Sequence, residues 1–145
     1  MLKDKIEKYE KKGREKFKKL CDDLNLLYVE SDNLTEHFDG IVFFKNKKYI
    51  IEIKDRSNKF NYDTILFEQE KYDNLKKAIN ENEADGAYYI SIWNTTIYAY
   101  LLPDEIDVQT QEVMCNKCTA KNDSKRKKTV YFIPKEKTKI YKLKI

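Results

Sequence analysis

Hydrophobic positions recur every three or four residues in two stretches of the chain. In the first, the periodic positions are Ile6, Tyr9, Gly13, Phe17, Leu20 and Leu24. In the second, over residues 65–82, they are Ile65, Tyr72, Leu75 and Ile79. This spacing places the apolar side chains on one face of a helix, so both stretches are predicted to be amphipathic helices.

Short apolar runs separated by polar turns predict strands between and after these helices. Residues 26–30 form one candidate strand, and residues 39–45 and 48–56 form a candidate hairpin around Asn46-Lys47. The runs GAYYISIWN and TIYAYLL predict another strand pair that turns at Asn94-Thr95, and TVYFIP reads as a last strand-like run. The element order is α-β-β-β-α-β-β, which predicts one α/β domain over residues 1–145. Its core covers about residues 5–102, followed by a basic C-terminal extension of about residues 103–145.

Composition supports a folded chain with an uneven charge distribution. Hydrophobic residues make up 41% of the 145 residues, which excludes intrinsic disorder as the default. Residues 1–20 carry nine basic against four acidic residues, residues 117–145 carry eleven against two, and residues 21–116 carry nine against nineteen. Basic ends around an acidic centre fit a protein that binds a polyanion, although a lysine-rich solvated surface gives the same count.

No apolar run is long enough to span a bilayer, so no membrane partner is expected. Three cysteines do not suit a disulfide framework, and a reducing cytoplasm is expected. The abundance of Lys, Asn, Ile and Tyr is compatible with an AT-rich genome, such as that of a phage, in which case the compartment is the host cytoplasm. A homodimer is compatible with the sequence.

Two carboxylates and a lysine are expected to share one face of the first hairpin. If the hairpin closes symmetrically about Asn46-Lys47, Lys54 lies opposite Asp39, and Glu52 is a diagonal neighbour of Asp39. Adjacent carboxylates repel unless a cation or a proton lies between them, and their oxygens are ligands that Mg²⁺ and Mn²⁺ prefer. The alternative is an exposed hairpin with an Asp–Lys salt bridge of about 0–1 kcal/mol.

The pattern D-(x₁₂)-E-x-K across a hairpin, between two helices, resembles the PD-(D/E)xK nucleases. That superfamily includes restriction endonucleases, archaeal Holliday junction resolvases and phage recombination exonucleases. The resemblance covers roughly residues 5–100, and Phe38 stands where the family often has proline. It implies a restriction-endonuclease-like αβββαβ core, with a mixed central sheet flanked by helices. It also implies that Asp39, Glu52 and the carbonyl of Ile53 hold Mg²⁺ or Mn²⁺, and that Lys54 is catalytic.

Both helices offer further candidates for this site. Family members often add a glutamate from the first helix, and Glu10 and Glu15 compete for that role. With Phe17 as the origin, Glu10 lies about 20° away, inside the apolar stripe, and Glu15 about 160° away. Glu10 is therefore the expected metal ligand on a buried face. On the second helix, Gln69 lies near the apolar phase and is the expected contact to the attacking water or the phosphate.

Other polar groups are weaker candidates. His37 could accept a proton, but a lone loop histidine is usually only exposed. Cys115 and Cys118 form half of a zinc knuckle, and no second pair completes it in the sequence. The run KNDSKRKK, residues 121–128, is expected to contact DNA phosphates, with a disordered solubilising loop as the alternative.

These observations favour a metal-dependent nuclease that hydrolyses DNA phosphodiester bonds in recombination, repair or restriction. The first alternative is a catalytically inactive nucleic-acid-binding module of the same fold. The second is an interaction protein in which the hairpin motif is incidental.

Overall fold

The computed structural model describes residues 2–31, 38–56, 63–116 and 125–144, with side chains described from Glu10 onward except at residues 115–116 and 125–126. The helices are α1 (Leu2–Asp23) and α2 (Gln69–Glu81). The strands are β1 (Leu27–Glu30), β2 (Gly40–Phe44), β3 (Lys47–Asp55), β4 (Thr64–Glu68), β5 (Gly86–Trp93), β6 (Thr96–Leu101), β7 (Thr110–Asn116), β8 (Lys125–Pro134) and β9 (Lys139–Lys142).

A six-stranded mixed sheet, in the order β1-β2-β3-β5-β6-β9, forms the centre of the protein. Among the described strands of this sheet, only β3 and β5 pair in parallel. The chain reaches β5 from β3 through β4 and α2, as a parallel pair requires a long crossover. The predicted α/β class, with a mixed sheet and two helices, is confirmed.

The two helices cover opposite faces of this sheet. Phe17 and Cys21 of α1 pack in one hydrophobic cluster with Ile51, whereas Leu75 of α2 packs in the other cluster with Ile50. Ile50 and Ile51 are 0% and 1% exposed, so β3 is buried on both faces. This explains why β3 has a nearly continuous apolar run rather than a clean alternation.

The first hairpin turns one residue earlier than predicted. Lys45 and Asn46 form the turn, with φ of 50° and 64°, and two positive φ values are typical of the tight turn that connects hairpin strands. The register pairs Gly40 with Ile51 and Phe44 with Lys47. The predicted register differs from this one by a slide of two residues, so every side chain keeps its predicted face.

Residues 65–68 were expected in the second helix but belong to β4. Ile65 and Phe67 are buried while Leu66 and Glu68 are half-buried, which is the two-residue period of a strand. β4 pairs with β8, and β8 pairs with β7, in a second, three-stranded sheet. The helix therefore begins at Gln69 rather than near Ile65.

The described strands after residue 102 pair with strands that precede it. β8 pairs with β4, and β9 pairs with β6 at the edge of the main sheet. Tyr131 and Ile133 of β8 are 9% and 1% exposed and pack in the same hydrophobic cluster as Leu75. The C-terminal strands thus help to hold β4, and with it the start of α2.

Candidate functional site

A cleft of about 170 Å³ lies where the end of β3 meets α1 and the first turn of α2. It is lined by Glu10, Gly13, Asp39, Glu52, Ile53, Lys54, Asp55 and Lys71. Most of the residues selected from the sequence pattern therefore converge in one place.

Asp39 is held over β3 by its own backbone and side chain. Its N–H donates to the carbonyl of Ile51 at 2.8 Å, and its Oδ2 accepts from the N–H of Ile53 at 2.7 Å. Continuing the register of Gly40 with Ile51 by one residue places Asp39 opposite Glu52, rather than opposite Lys54 as predicted. Gly40, the residue after Asp39, allows β1 to lie close to β2, because a Cβ on Gly40 would lie 2.6 Å from the carbonyl oxygen of Val29.

Arg14 occupies the other oxygen of Asp39, and sequence reasoning missed it. Its Nε donates to Asp39 Oδ1 at 2.9 Å, and the two side chains are 10% and 13% exposed. Burial disfavours the charged guanidinium, but Asp39 outweighs burial and raises the pKa of Arg14. The missed signal was helical phase, since Arg14 lies three residues before buried Phe17, on the apolar face of α1.

Glu52 is a buried carboxylate with a lysine partner. Its side chain is 12% exposed, and its Oε2 lies 3.7 Å from Nζ of Lys71. Burial raises the pKa of Glu52 to about 7; the charge of Asp39 acts in the same direction, and Lys71 opposes it. The pKa of Lys71 is raised, mainly by Glu52. Lys71 could have been found from its position four residues before buried Leu75, which turns it toward the sheet.

Lys54 lines the same cleft two residues after Glu52, on the same face of β3. Over the whole residue Lys54 is exposed to solvent, but the protein that surrounds its ammonium group removes water and lowers its pKa. The charges of Arg56 and Lys71 lower this pKa further. The cleft therefore combines acidic groups with two lysines that lie close enough to repel each other.

Of the two candidate glutamates of α1, the one predicted to face the site lies at the cleft, but it is not buried as predicted. Glu10 lines the cleft, and Glu15 is not among its lining residues. However, Glu10 is exposed, so the expectation of a glutamate on a buried face is wrong. Gly13 sets the helix against β3 here, because a Cβ on it would lie 3.3 Å from both Asp55 Cβ and Ile53 Cγ2.

Gln69 does not reach this cleft. It lies half-buried at the start of α2 and lines a separate cleft of about 450 Å³, between that end of the helix and β8. Its first-turn neighbour Lys71 points to Glu52 instead. The structure thus corrects the helix residue expected at the site from Gln69 to Lys71.

Several weaker candidates lie wholly or partly outside the described residues. His37 and Cys118 lie outside them, and the side chain of Cys115 is also not described. Of the basic run 121–128, residues 121–124 lie outside them, and residues 125–128 begin β8. Lys128, the last residue of this run, contacts Glu68, directly before α2.

In comparisons with protein-family models, curated proteins and solved structures, no match to the chain was found. Within the described residues, no helix is long and apolar enough to cross a membrane.

The oxygen donors in the cleft supply part of the ligand set that a hard cation such as Mg²⁺ requires. Among the described residues, no three or more His, Cys, Asp or Glu side chains gather closely enough to hold a metal ion. Asp39 and Glu52 nevertheless supply oxygen donors, with Glu10 at the rim of the same cleft. A carboxylate has about four acceptor sites, so the two hydrogen bonds to Asp39 leave it able to bind a cation. The raised pKa of Glu52 is the response of a buried carboxylate that lacks sufficient positive charge.

The pKa of Glu52 predicts a loss of stability as the pH rises. The folded state holds this proton up to about pH 7, whereas the unfolded chain releases it near pH 4.5. Stability should therefore fall between these two values and stay low above pH 7. Glu52→Gln should raise the free energy of unfolding at pH 8 by on the order of 2 kcal/mol and flatten its pH dependence. Urea denaturation at pH 5 and pH 8 measures this, and an equal or lower stability of the variant at pH 8 would contradict it.

Proposed function

We propose that the protein is a metal-dependent nuclease of the PD-(D/E)xK type that hydrolyses DNA phosphodiester bonds. The observation that supports this is the convergence of Asp39, Glu52 and Lys54 in one cleft. Lys71 adds a second cation beside Glu52. A merely structural hairpin gives no reason to bury a carboxylate whose pKa rises to about 7.

The order of the central elements supports a restriction-endonuclease-like core. α1 is followed by three antiparallel strands, β1 to β3, then by α2, and then by β5, which pairs parallel to β3. This is the αβββαβ order that the sequence resemblance implies, with β4 added before α2. In this arrangement the candidate residues lie at the end of β3, between the two helices.

Mg²⁺ or Mn²⁺ is the cofactor that these residues fit. Asp39 and Glu52 would hold it, with Glu10 and the carbonyl of Ile53 as further oxygen donors in the same cleft. Such an ion, when bound, lowers the pKa of a water and stabilises negative charge on a phosphate.

The side chains of this chain have distinct roles around that centre. Arg14 and the N–H of Ile53 fix the orientation of the Asp39 carboxylate. Lys54 is exposed at the cleft and positioned to contact a phosphate oxygen or the attacking water. Lys71 partly offsets the charge of Glu52 in the free protein, and a cation on Glu52 would release Lys71 to bind a phosphate.

The excess of positive charge at both ends of the chain supports DNA as the substrate. Residues 117–145 carry eleven basic and two acidic residues, and Lys128 lies next to the start of α2. Lysine and arginine supply most of the affinity for a phosphate backbone.

A second candidate is a nucleic-acid-binding module without catalysis. The observation that favours it is that Arg14 already pairs with the Asp39 carboxylate at 2.9 Å, so a metal ion would share that carboxylate with a resident cation. If this arrangement persists in solution with divalent metal, the protein should bind DNA but not cleave it.

One experiment separates the two candidates. The purified protein is incubated with branched, linear duplex and single-stranded DNA, with Mg²⁺, with Mn²⁺ or with EDTA. Cleavage that requires metal supports the nuclease, and it also identifies the preferred DNA structure. Binding of DNA without cleavage under every condition supports the module, and neither binding nor cleavage contradicts both.

Glu10→Gln should weaken Mn²⁺ binding and cleavage roughly tenfold, whereas Glu15→Gln should leave both nearly unchanged. The reason is position, because only Glu10 lines the cleft although both glutamates are exposed. Mn²⁺ binding by calorimetry and initial cleavage rates measure the effect. A larger loss from Glu15→Gln would show that α1 presents a different face to the site, and two silent variants would exclude a ligand from this helix.

A further inference from the structure

Glu68 connects the candidate cleft to a second basic region. It is the last residue of β4 and immediately precedes α2, whose first turn carries Lys71. Its Oε1 lies 2.9 Å from Nζ of Lys128, with the two side chains 23% and 19% exposed. Acids and lysines thus alternate from Glu52 through Lys71 and Glu68 to Lys128.

Lys128 is presented by a two-stranded ribbon. β4 pairs with β8 only over residues 130–134, whereas β7 pairs with it over residues 125–131. Residues 125–129 therefore run past the end of β4 with β7 alongside. This ribbon and the start of α2 enclose the cleft of about 450 Å³, which contains Lys127, Lys128 and Thr129.

Lysines are the charged groups that act most strongly on Glu68. Burial alone would raise its pKa, but the hydrogen bond from Lys128 and the charges of Lys128, Lys71 and Lys54 outweigh burial and lower it. Arg56 lies nearby, since its Nη2 donates to the carbonyl of Leu66 at 3.4 Å. Glu68 is shared among Lys128, Lys71 and Lys54, so displacement of this one carboxylate would leave these lysines able to bind a phosphate. Glu70 and Asp73 also line the larger cleft, so a phosphate is expected on the side of Lys127 and Lys128.

We infer that Glu68 is a resident counter-ion in a DNA-binding track, and that backbone phosphates displace it from Lys128 and the neighbouring Lys71 and Lys54. This inference rests on the proposed action on DNA and extends it, because it defines where the strand runs beyond the cleft. The strand passes across the start of α2 and along the ribbon. Glu68 then weakens binding of DNA, and Lys128 strengthens it, although the two residues form one salt bridge.

The two halves of this salt bridge should therefore have opposite effects on affinity. In EDTA, Glu68→Gln should bind a short labelled duplex about three- to tenfold more tightly, and Lys128→Gln should bind it about three- to tenfold more weakly. The slope of log K against log salt should steepen by up to about 0.9 in Glu68→Gln and become shallower by about 0.9 in Lys128→Gln. Fluorescence anisotropy over a range of salt concentrations measures both, and single-stranded DNA in a parallel titration shows which form the track prefers.

Exposed residues in the second half of α2 supply matched controls. Glu81→Gln and Lys77→Gln make the same charge changes on exposed residues of the same helix. Glu81 and Lys77 lie about 20 and about 14 Å from Glu68 along the helix axis. Both distances exceed the screening length of about 8 Å at physiological salt. Each control should change affinity less than about twofold. Lys128→Arg, which keeps the charge, should retain the affinity of the wild type if Lys128→Gln proves unfolded in a thermal scan.

A purely structural salt bridge predicts a different outcome. Both variants would then lose stability, and both would bind DNA equally well or more weakly. If the wild type binds DNA and Glu68→Gln binds no more tightly than Glu81→Gln, the counter-ion role is wrong and the proposed nuclease function stands. If the wild type binds neither duplex nor single-stranded DNA, the proposed function and this inference are both overturned.

Discussion

Glu52→Gln should reduce metal-dependent cleavage of DNA by roughly 100-fold or more, while the protein stays folded. Glutamine has nearly the same shape as glutamate but lacks the charge that would hold a divalent cation. Asp39→Asn should have a similar effect, because Asp39 lies opposite Glu52 in the same cleft. The measurement is the single-turnover rate of cleavage with saturating DNA and Mg²⁺, alongside Mn²⁺ binding by calorimetry.

The control for this prediction is Glu81→Gln, an exposed acid at the far end of α2. It removes the same charge and should leave the rate and the Mn²⁺ affinity unchanged. Loss of cleavage together with loss of Mn²⁺ binding places the metal at Asp39 and Glu52. A Glu52→Gln, Asp39→Asn double variant that cleaves as fast as the wild type would show that this cleft is not the active site.

Local sequence patterns predicted the faces of the first hairpin correctly, although the turn was misplaced. Alternation alone determines which side chains share a face, so Asp39, Glu52 and Lys54 were grouped despite a register shifted by two residues. The exact opposition of Asp39 with Glu52 depends on the left-handed backbone at Lys45 and Asn46. Asparagine favours such a backbone, and Asn46 is a central residue of both the predicted and the observed turn, so its presence alone does not determine which neighbour completes the turn.

Pairings between distant segments were not predictable from local patterns. Residues 64–68 form a strand because β8, more than sixty residues later, pairs with them. The same pairing brings Lys128 to Glu68 and makes the basic run part of the site's surroundings. Nothing in the local sequence around Ile65 reports that partner, so the helical period that follows was extended backward by four residues.

Charged residues on the apolar faces of helices were the missed signals. Arg14 and Lys71 both occupy positions whose phase turns them toward the sheet, and each contacts one of the two predicted carboxylates. The strand pattern predicted the two carboxylates, whereas the helical pattern did not lead to their cationic partners. A charged residue inside an apolar stripe needs a buried partner, so this rule would have predicted an acidic partner for Arg14.

Arg14→Gln should destabilise the protein by about 3 kcal/mol, because it leaves the Asp39 carboxylate partly buried without its cation. The pair lies beside Glu52, so the loss of Arg14 also adds repulsion between two neighbouring carboxylates. Asp39→Asn in the same chain removes the uncompensated charge, and the Arg14→Gln, Asp39→Asn double variant should recover most of the lost stability. Urea denaturation at pH 7 measures the free energy of unfolding of both.

Lys18→Gln is the matched control, since the Lys18–Asp22 pair is 59% and 66% exposed and should contribute less than about 0.5 kcal/mol. If the double variant is as unstable as Arg14→Gln alone, Arg14 stabilises the fold through packing against α1 and the sheet, and its charge is not what holds Asp39 in place.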